Sequence, residues 1–311
     1  MTRVVYATDL HGSEICWRKF LNAARFYRAN VLICGGDLTG KAIIPLVEDD
    51  GGYEYTLSGT QHRVSAAEAD DAMTQIQRRG YYPVRMSSAE ARELEADSAR
   101  LSRLFTDTMC QTVARWLQLA EDRLANSDVQ CFVCPGNDDE LAIDDLLRAA
   151  NRVHHAEGRA IDVDGFEMIS TGWSNPTPWK THREEPEEDL GKRIEAMVVK
   201  LRHPQRAIFN FHLPPYGSKL DEAPALGENL RPTHGGRAMR PVGSTAVRDA
   251  INRYQPLLSL HGHIPESKGA TKLGRTLAIN PGSAYEEGIL MAAIIELDAR
   301  KGVKSYQLVN G

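Results

Sequence analysis

No stretch of the 311-residue sequence comes near the roughly 20 consecutive apolar residues that a membrane-spanning helix requires. The N-terminus enters a strand-like segment, Val4-Val5-Tyr6-Ala7, without a signal-peptide pattern, so a cytoplasmic protein with no membrane partner is expected. Excess positive charge is also lacking. The formal net charge of −5 gives no overall electrostatic reason to bind nucleic acid and favours small polar or phosphorylated partners. Cysteines number five, an odd set in a mid-sized chain, so no disulfide scaffold follows and reduced thiols are expected. Cys131 and Cys134 have CxxC spacing but no second pair to complete a zinc ribbon, and they read as buried small residues of a strand. What is there, 42% hydrophobic and 25% charged residues, is the composition of a globular chain able to bury a substantial core.

A strand at about 3–8, a loop from Asp9 to Ser13, a helix to Asn30 and a strand Val31–Cys34 closing on Gly35-Gly36-Asp37 make a β-α-β unit. In such units functional groups collect beyond the carboxyl ends of the strands, where Asp9, His11 and Asp37 lie. Residues 43–57 read as a hairpin around Asp50-Gly51. Two helices follow in this reading. Ser65 with Glu68 has capping-box spacing for the first, which ends near Gly80; Ser87 with Glu90 has it for the second, which runs to about Ala125 as a projecting helix or with a hidden break. The whole stretch 41–125 separates two candidate motifs and is expected to be an inserted hairpin and helical subdomain, serving as a lid or a homodimer contact.

Beyond it come a strand at Val129–Cys134, the loop Pro135–Asp139, and a helix to about Asn151. Further strands are expected near 166–171, 206–211, 257–260 and 275–280, helices near 186–202 and 244–253, and a final strand pair near 289–297 and 303–309. The Pro- and Trp-containing stretch 173–186 reads as a long surface loop of the kind that shapes a pocket.

Singly, each chemical motif is weak: Asp9-x-His11 is also a strand-end cap, Asn137 also a turn residue, His212 also a surface histidine. Their order carries more. Asp9-Leu10-His11, Gly36-Asp37, Gly136-Asn137-Asp138, His212, His261-Gly262-His263 and Asn280-Pro281-Gly282-Ser283 follow one another, mostly at the ends of strand-like runs. In this order the sequence closely resembles the calcineurin-like metallophosphoesterases. The resemblance implies a four-layer α/β/β/α sandwich of two mixed sheets, with the helical insertion added to it. It further implies that Asp37, Asn137, His212 and His263 hold one metal while Asp9, His11 and Asp37 hold another, Asp37 bridging. Mixed carboxylate and imidazole donors suit two divalent ions drawn from manganese, iron, zinc or cobalt. A water activated between them would hydrolyse the ester directly.

The sequence departs from the family twice. Aligning the glycine of the family's Gly-His-x-His motif with Gly262 puts Pro265 where the second histidine belongs, and leaves His261 as either a substitute ligand or a supporting group. Asp138 stands where many members carry a histidine that assists the leaving group. An aspartate near cations is ionised and a poor acid, so esters whose leaving groups need little protonation, aryl or cyclic diesters, are expected over alkyl monoesters. Asn137 and Asp138 are thus the catalytic candidates, and His234, in a loop with Arg231, Arg237 and Arg240, is a candidate substrate contact. The function expected is hydrolysis of a small phosphodiester or monoester, a nucleotide among the options. A nuclease and a non-catalytic binding protein are the alternatives.

Overall fold

The computed structural model describes residues 1–227 and 229–311, with the His234 side chain also outside the described residues. In chain order the elements begin β1 (Thr2–Ala7), α1 (Glu14–Phe26), β2 (Val31–Cys34), β3 (Ile43–Asp49), β4 (Gly52–Leu57), β5 (Thr60–Ser65), α2 (Ala69–Arg78) and β6 (Tyr82–Met86). They continue through α3 (Ser88–Ala96), α4 (Ser98–Leu124), β7 (Gln130–Val133), α5 (Ile143–Ala149), β8 (Val153–His155), β9 (Ala160–Val163), β10 (Phe166–Thr171) and α6 (Glu187–Val198). The chain closes with β11 (Ile208–Phe211), β12 (Glu222–Pro224), β13 (Met239–Pro241), α7 (Thr245–Tyr254), β14 (Leu258–Leu260), β15 (Gly269–Leu273), β16 (Thr276–Asn280), β17 (Met291–Asp298) and β18 (Gly302–Asn310).

Two mixed six-stranded sheets form the body, in the orders β18-β17-β1-β2-β7-β8 and β15-β16-β14-β11-β10-β9. Strands β1, β2, β7 and β8 run parallel in the first, and β10, β11, β14 and β16 in the second. The side-chain period of two divides each central strand between neighbours. Val4, Tyr6, Val31 and Ile33 meet Met168, Ile208, Leu258 and Ile279 between the sheets, while Val5, Leu32 and Val133 face α1, α4 and α5 on the outside. Ile169, Phe209 and Ala278 do the same for α6 and α7 on the other side. This is the four-layer arrangement that the resemblance implies. Burial on both faces explains why β2 is wholly apolar, with no polar alternation.

Cys131 and Cys134 lie on opposite faces of their strand, both buried, and all five cysteines are free. Among the described residues no helix is long and apolar enough to cross a membrane.

The stretch 41–125 holds more strand than the expected hairpin: β5 and β6 join β3 and β4 in a separate sheet of order β5-β4-β3-β6, covered by α2. Ser65 and Glu68 close a turn instead of capping α2, which starts one residue after Glu68. Ser87 and Glu90 do form a reciprocal capping box. The long second helix breaks at Asp97, which leaves helical geometry and caps α4 by accepting from Arg100 N. From Met109 onward α4 belongs to the outer layer of the first sheet: Trp116 stacks on Trp17 at 5.3 Å, and Trp17 Nε1 donates to the Trp116 carbonyl.

That stacked pair predicts a contrast measurable by urea denaturation. Trp17→Ala is expected to lower stability by about 3–5 kcal/mol, whereas Leu101→Ala, at a half-exposed position on the same helix as Trp116, is expected to stay within about 0.5 kcal/mol.

Candidate metal centre

The C-terminal ends of β1, β2 and β7 in one sheet and of β11 and β14 in the other open onto a common rim. Asp9 and His11 follow β1, Asp37 follows β2, Asn137 and Asp138 follow β7, His212 follows β11, and His261 and His263 follow β14. The structure gathers them into two donor clusters, Asp9-His11-Asp37 and Asp37-His212-His263, in each of which one ligand atom per residue lies within 4.8 Å of the others. Strand alternation is not what brings them there. The strands stop at Ala7 and Leu260, and the loops beyond them turn left-handed, with φ of 53° at Asp9, 41° at His11, 50° at Asp37 and 66° at His263. Each such non-glycine residue costs on the order of 1–3 kcal/mol, a strain that collects at functional sites.

Two glycines make the approach possible. Gly36, at φ 138°, leaves room for the His212 ring, which a Cβ would meet at 2.2 Å. Gly262 leaves room for Asp9 Oδ2, which a Cβ would meet at 2.4 Å.

Asp37 stands at the junction. Its Oδ1 accepts from Asp138 N at 3.0 Å, and its Oδ2 faces His212 Nε2 at 3.3 Å and His11 Nε2 at 3.6 Å. Burial opposes its charge, yet the His212, His11 and His263 imidazoles hold its carboxyl well below the usual carboxylate range. Asp9 lacks such compensation: burial, helped by the Asp37 charge, pushes it up to about 6 against the pull of His212. Its carboxylate accepts from His263 N at 3.1 and 3.2 Å, and its carbonyl accepts from the Ser283 hydroxyl, so the closing Asn-Pro-Gly-Ser motif also reaches the site.

The imidazoles show what the cluster suits. His212 Nδ1 lies 3.1 Å from the Gly35 carbonyl, which only accepts, so Nδ1 carries the hydrogen. Its buried Nε2 then faces a carboxylate without a hydrogen-bond partner of good geometry, and needs either a second proton or a cation. Against burial, Asp37 pushes His212 up to about 9, which supplies the proton in metal-free protein. Burial pushes His11 down to about 3 and His263 to about 4, so both are neutral donors. Two carboxylates, three imidazoles and the Asn137 amide form a set suited to borderline divalent ions.

His261 sits apart from both clusters. Its Nδ1 faces the Phe211 and Leu213 carbonyls at 2.9 and 3.1 Å, on either side of His212, and burial holds it down at about 4. Through Nδ1 it buttresses the loop that carries His212, while its buried Nε2 has no hydrogen-bond partner among the described residues.

Sequence reasoning missed Lys41, whose ammonium lies 3.1 Å from Asp138 Oδ2 and is kept charged by Asp138 and Asp37 against burial. No spacing or motif marks it. The candidate substrate contact His234 lies, as a side chain, outside the described residues. His11, Asp37, Lys41, Asn137 and His263 line one cavity of about 1110 Å³, and the 173–186 loop contributes residues 175–182 to its wall as expected.

No family model matches the chain. The uncharacterized protein MJ1162 of Methanocaldococcus jannaschii is 25% identical over 168 residues, 53% of this chain and 70% of that protein. The solved structure of TT1561 from Thermus thermophilus superposes with a TM-score of 0.53 at 14% identity, covering 100% of this chain and 98% of that one. An archaeal phosphodiesterase superposes at 0.40 with 10% identity over 100% of both chains, too distant to bear on activity. The chain shares the fold of TT1561, the four-layer sandwich of two mixed sheets that the sequence resemblance implies.

The His212 proton makes metal and pH interdependent. Its folded pKa of about 9 exceeds the unfolded value of about 6.5. Its contribution to stability is therefore complete below pH 6.5 and lost as pH rises toward 9. A cation taking the place of that proton removes the dependence. With chelator present, the melting temperature is expected to fall between pH 6.5 and 9, and with manganese to hold steady. Calorimetry across that range showing equal slopes with and without metal would count against the assignment.

Proposed function

We propose that this protein is a metal-dependent phosphoester hydrolase that holds two divalent cations around Asp37 and acts on a small phosphodiester in preference to a monoester. The observation that carries the reading is the sharing of Asp37 Oδ2 between imidazoles of the two donor clusters, at the floor of a cavity open to a ligand. Cations bound there would supply charge neutralisation for the phosphoryl oxygens and a nucleophilic water at neutral pH. Asp37, Asn137, His212 and His263 would hold one, and Asp9, His11 and Asp37 the other. With Pro265 in place of an imidazole and His261 outside both clusters, the Asp9 group has fewer protein donors and is expected to hold its ion more weakly.

The chain's own groups favour a diester. Burial and the Asp37 charge push Asp138 up to about 6, with Lys41 opposing, so near pH 7 it is mainly a carboxylate paired with that ammonium. It repels the second negative charge of a monoester dianion and has no proton to give an alkoxide. Lys41 is the group available to stabilise charge on a departing oxygen. Two large aromatic side chains, Trp179 at 63% and Tyr216 at 45% exposure, line the same cavity as the donors. Exposed apolar surface at a pocket marks a binding wall, which suits a planar substituent such as a nucleobase on the second ester oxygen.

After chelation and return of manganese, bis(p-nitrophenyl) phosphate should be hydrolysed faster than p-nitrophenyl phosphate, and Asp37→Ala should reduce both to the buffer rate. Bound metal without turnover of either ester would favour a binding role instead. Asp138→His should shift the ratio toward the monoester. Trp179→Ala should lower kcat/KM for the thymidine 5′-ester of p-nitrophenyl phosphate by about 10-fold, the scale of one stacked base, and leave the methyl ester nearly unaffected. Equal losses for both esters would remove the wall from the argument.

A further inference from the structure

The Asn137 side chain has an acceptor end and a donor end of nearly the same shape, and only the oxygen can serve a cation. Its orientation is therefore a requirement of the site, and residues far along the chain supply it. Asn137 Nδ2 lies 2.9 Å from Thr181 Oγ1 and 3.2 Å from Asp138 Oδ1, while Asn137 Oδ1 lies 2.6 Å from His263 Nδ1.

The donor and acceptor roles in this chain are fixed by its far end. Glu184 receives four hydrogen bonds, from Thr177 N at 3.0 Å, Thr177 Oγ1 at 2.5 Å, Thr181 N at 2.7 Å and Thr181 Oγ1 at 2.6 Å. Burial opposes its charge, and these bonds hold it below the usual carboxylate range, so it only accepts. The single hydroxyl hydrogen of Thr181 is thereby committed to Glu184. Toward Asn137 the Thr181 oxygen offers a lone pair, which only the amide NH2 can meet. The reverse orientation would set the amide oxygen against that lone pair and against the Asp138 carboxylate. The neighbouring residue holds the backbone as well: Arg183 N donates to the Asn137 carbonyl at 3.2 Å, and the buried Arg183 guanidinium donates to the Asp139 carbonyl at 2.9 Å.

We infer that Thr181, anchored by Glu184, is a positioning residue for metal binding, which pins the Asn137 amide so that its oxygen is presented on the side of His212 and His263. This rests on the phosphoesterase reading only in taking Asn137 as a ligand. Outer groups that orient a ligand typically change metal affinity by about 10- to 100-fold when removed.

Manganese affinity, measured by competition with a fluorescent chelator, reads the effect without recourse to activity. Thr181→Val keeps the shape and removes the hydroxyl; it is expected to weaken uptake of one cation by about 10- to 100-fold and to leave the other unchanged. Thr181→Ser restores the hydroxyl and should bind like the wild type. Glu184→Gln keeps Thr181 but removes the charge that commits its hydrogen and turns the oxygen facing Thr177 N into a donor, which loosens the anchor and should weaken the same cation. The metal-free melting temperature of each variant separates this from a folding defect, and Glu184→Gln carries the test alone where Thr181→Val fails to fold. Wild-type protein that takes up no manganese overturns the phosphoesterase reading. Wild-type uptake matched by both Thr181→Val and Glu184→Gln, or a Thr181→Ser as weak as Thr181→Val, overturns the positioning role alone.

Discussion

A single buried carboxylate, Asp37, is the point to which the rest of the molecule is fitted. It lies on a loop of the first sheet, and its Oδ2 is met by His11 from that sheet and His212 from the second. A charge taken out of water costs several kcal/mol unless it is paired in good geometry. Here its partners are imidazoles delivered by two sheets whose apolar faces have to pack before those partners arrive. The inter-sheet core of Tyr6, Ile33, Ile208 and Leu258 therefore does more than stabilise the sandwich: it sets the spacing at which a carboxylate from one sheet and a histidine from the other come within about one ion's reach. The same rigidity tolerates four donor residues in left-handed backbone, a conformation a softer scaffold would relax.

Around that point the chain is tied by residues distant in sequence. Asp139 accepts from Leu38 N, Thr39 N and Gly136 N, locking the Asp37 loop to the Asn137 loop. Asn280 donates to the Ile264 carbonyl, and Ser283 to that of Asp9, joining the last motif to the first and fifth. The 173–186 loop grips Asn137 while presenting Trp179 to the cavity. The segment 41–125 begins with Lys41 at the cavity and packs back on the first motif through Ser13, whose hydroxyl donates to the Arg78 carbonyl.

Much of this was legible from sequence where local rules hold. Doubly covered strands such as Val31–Cys34 announce themselves as unbroken apolar runs, and the capping box at Ser87 and the helix near 244–253 follow from local chemistry. The donor residues were legible only through the order of their motifs. Strand β6 was not, because Tyr82–Met86 is five residues long and its partner β3 lies some forty positions earlier. The left-handed turns at Asp9, His11 and His263 were invisible because nothing in those residue types demands positive φ; the packing of the two sheets imposes it. Lys41 and Thr181 lacked any local sign, since each gains its meaning from a partner across the fold.

The fate of His261 shows how one substitution redistributes a site. Proline at 265 offers no donor nitrogen, and a histidine two residues before His263 looks like its replacement. His261 turns its Nδ1 to the Phe211 and Leu213 carbonyls, which flank the residue that places His212 beside Asp37, and its buried Nε2 belongs to neither donor cluster. Without that imidazole the carbonyls would be buried without this donor, at a cost of about 1–3 kcal/mol, and the His212 loop would lose its support. The His261 Nδ1 hydrogen is thereby spent on holding the His212 loop, and a ligand role would fall to Nε2, from outside both clusters. The two clusters keep Asp37-His212-His263 whole and give the Asp9 group two carboxylates and one imidazole, so that the asymmetry of the two groups follows from a proline standing where an imidazole would complete the weaker one.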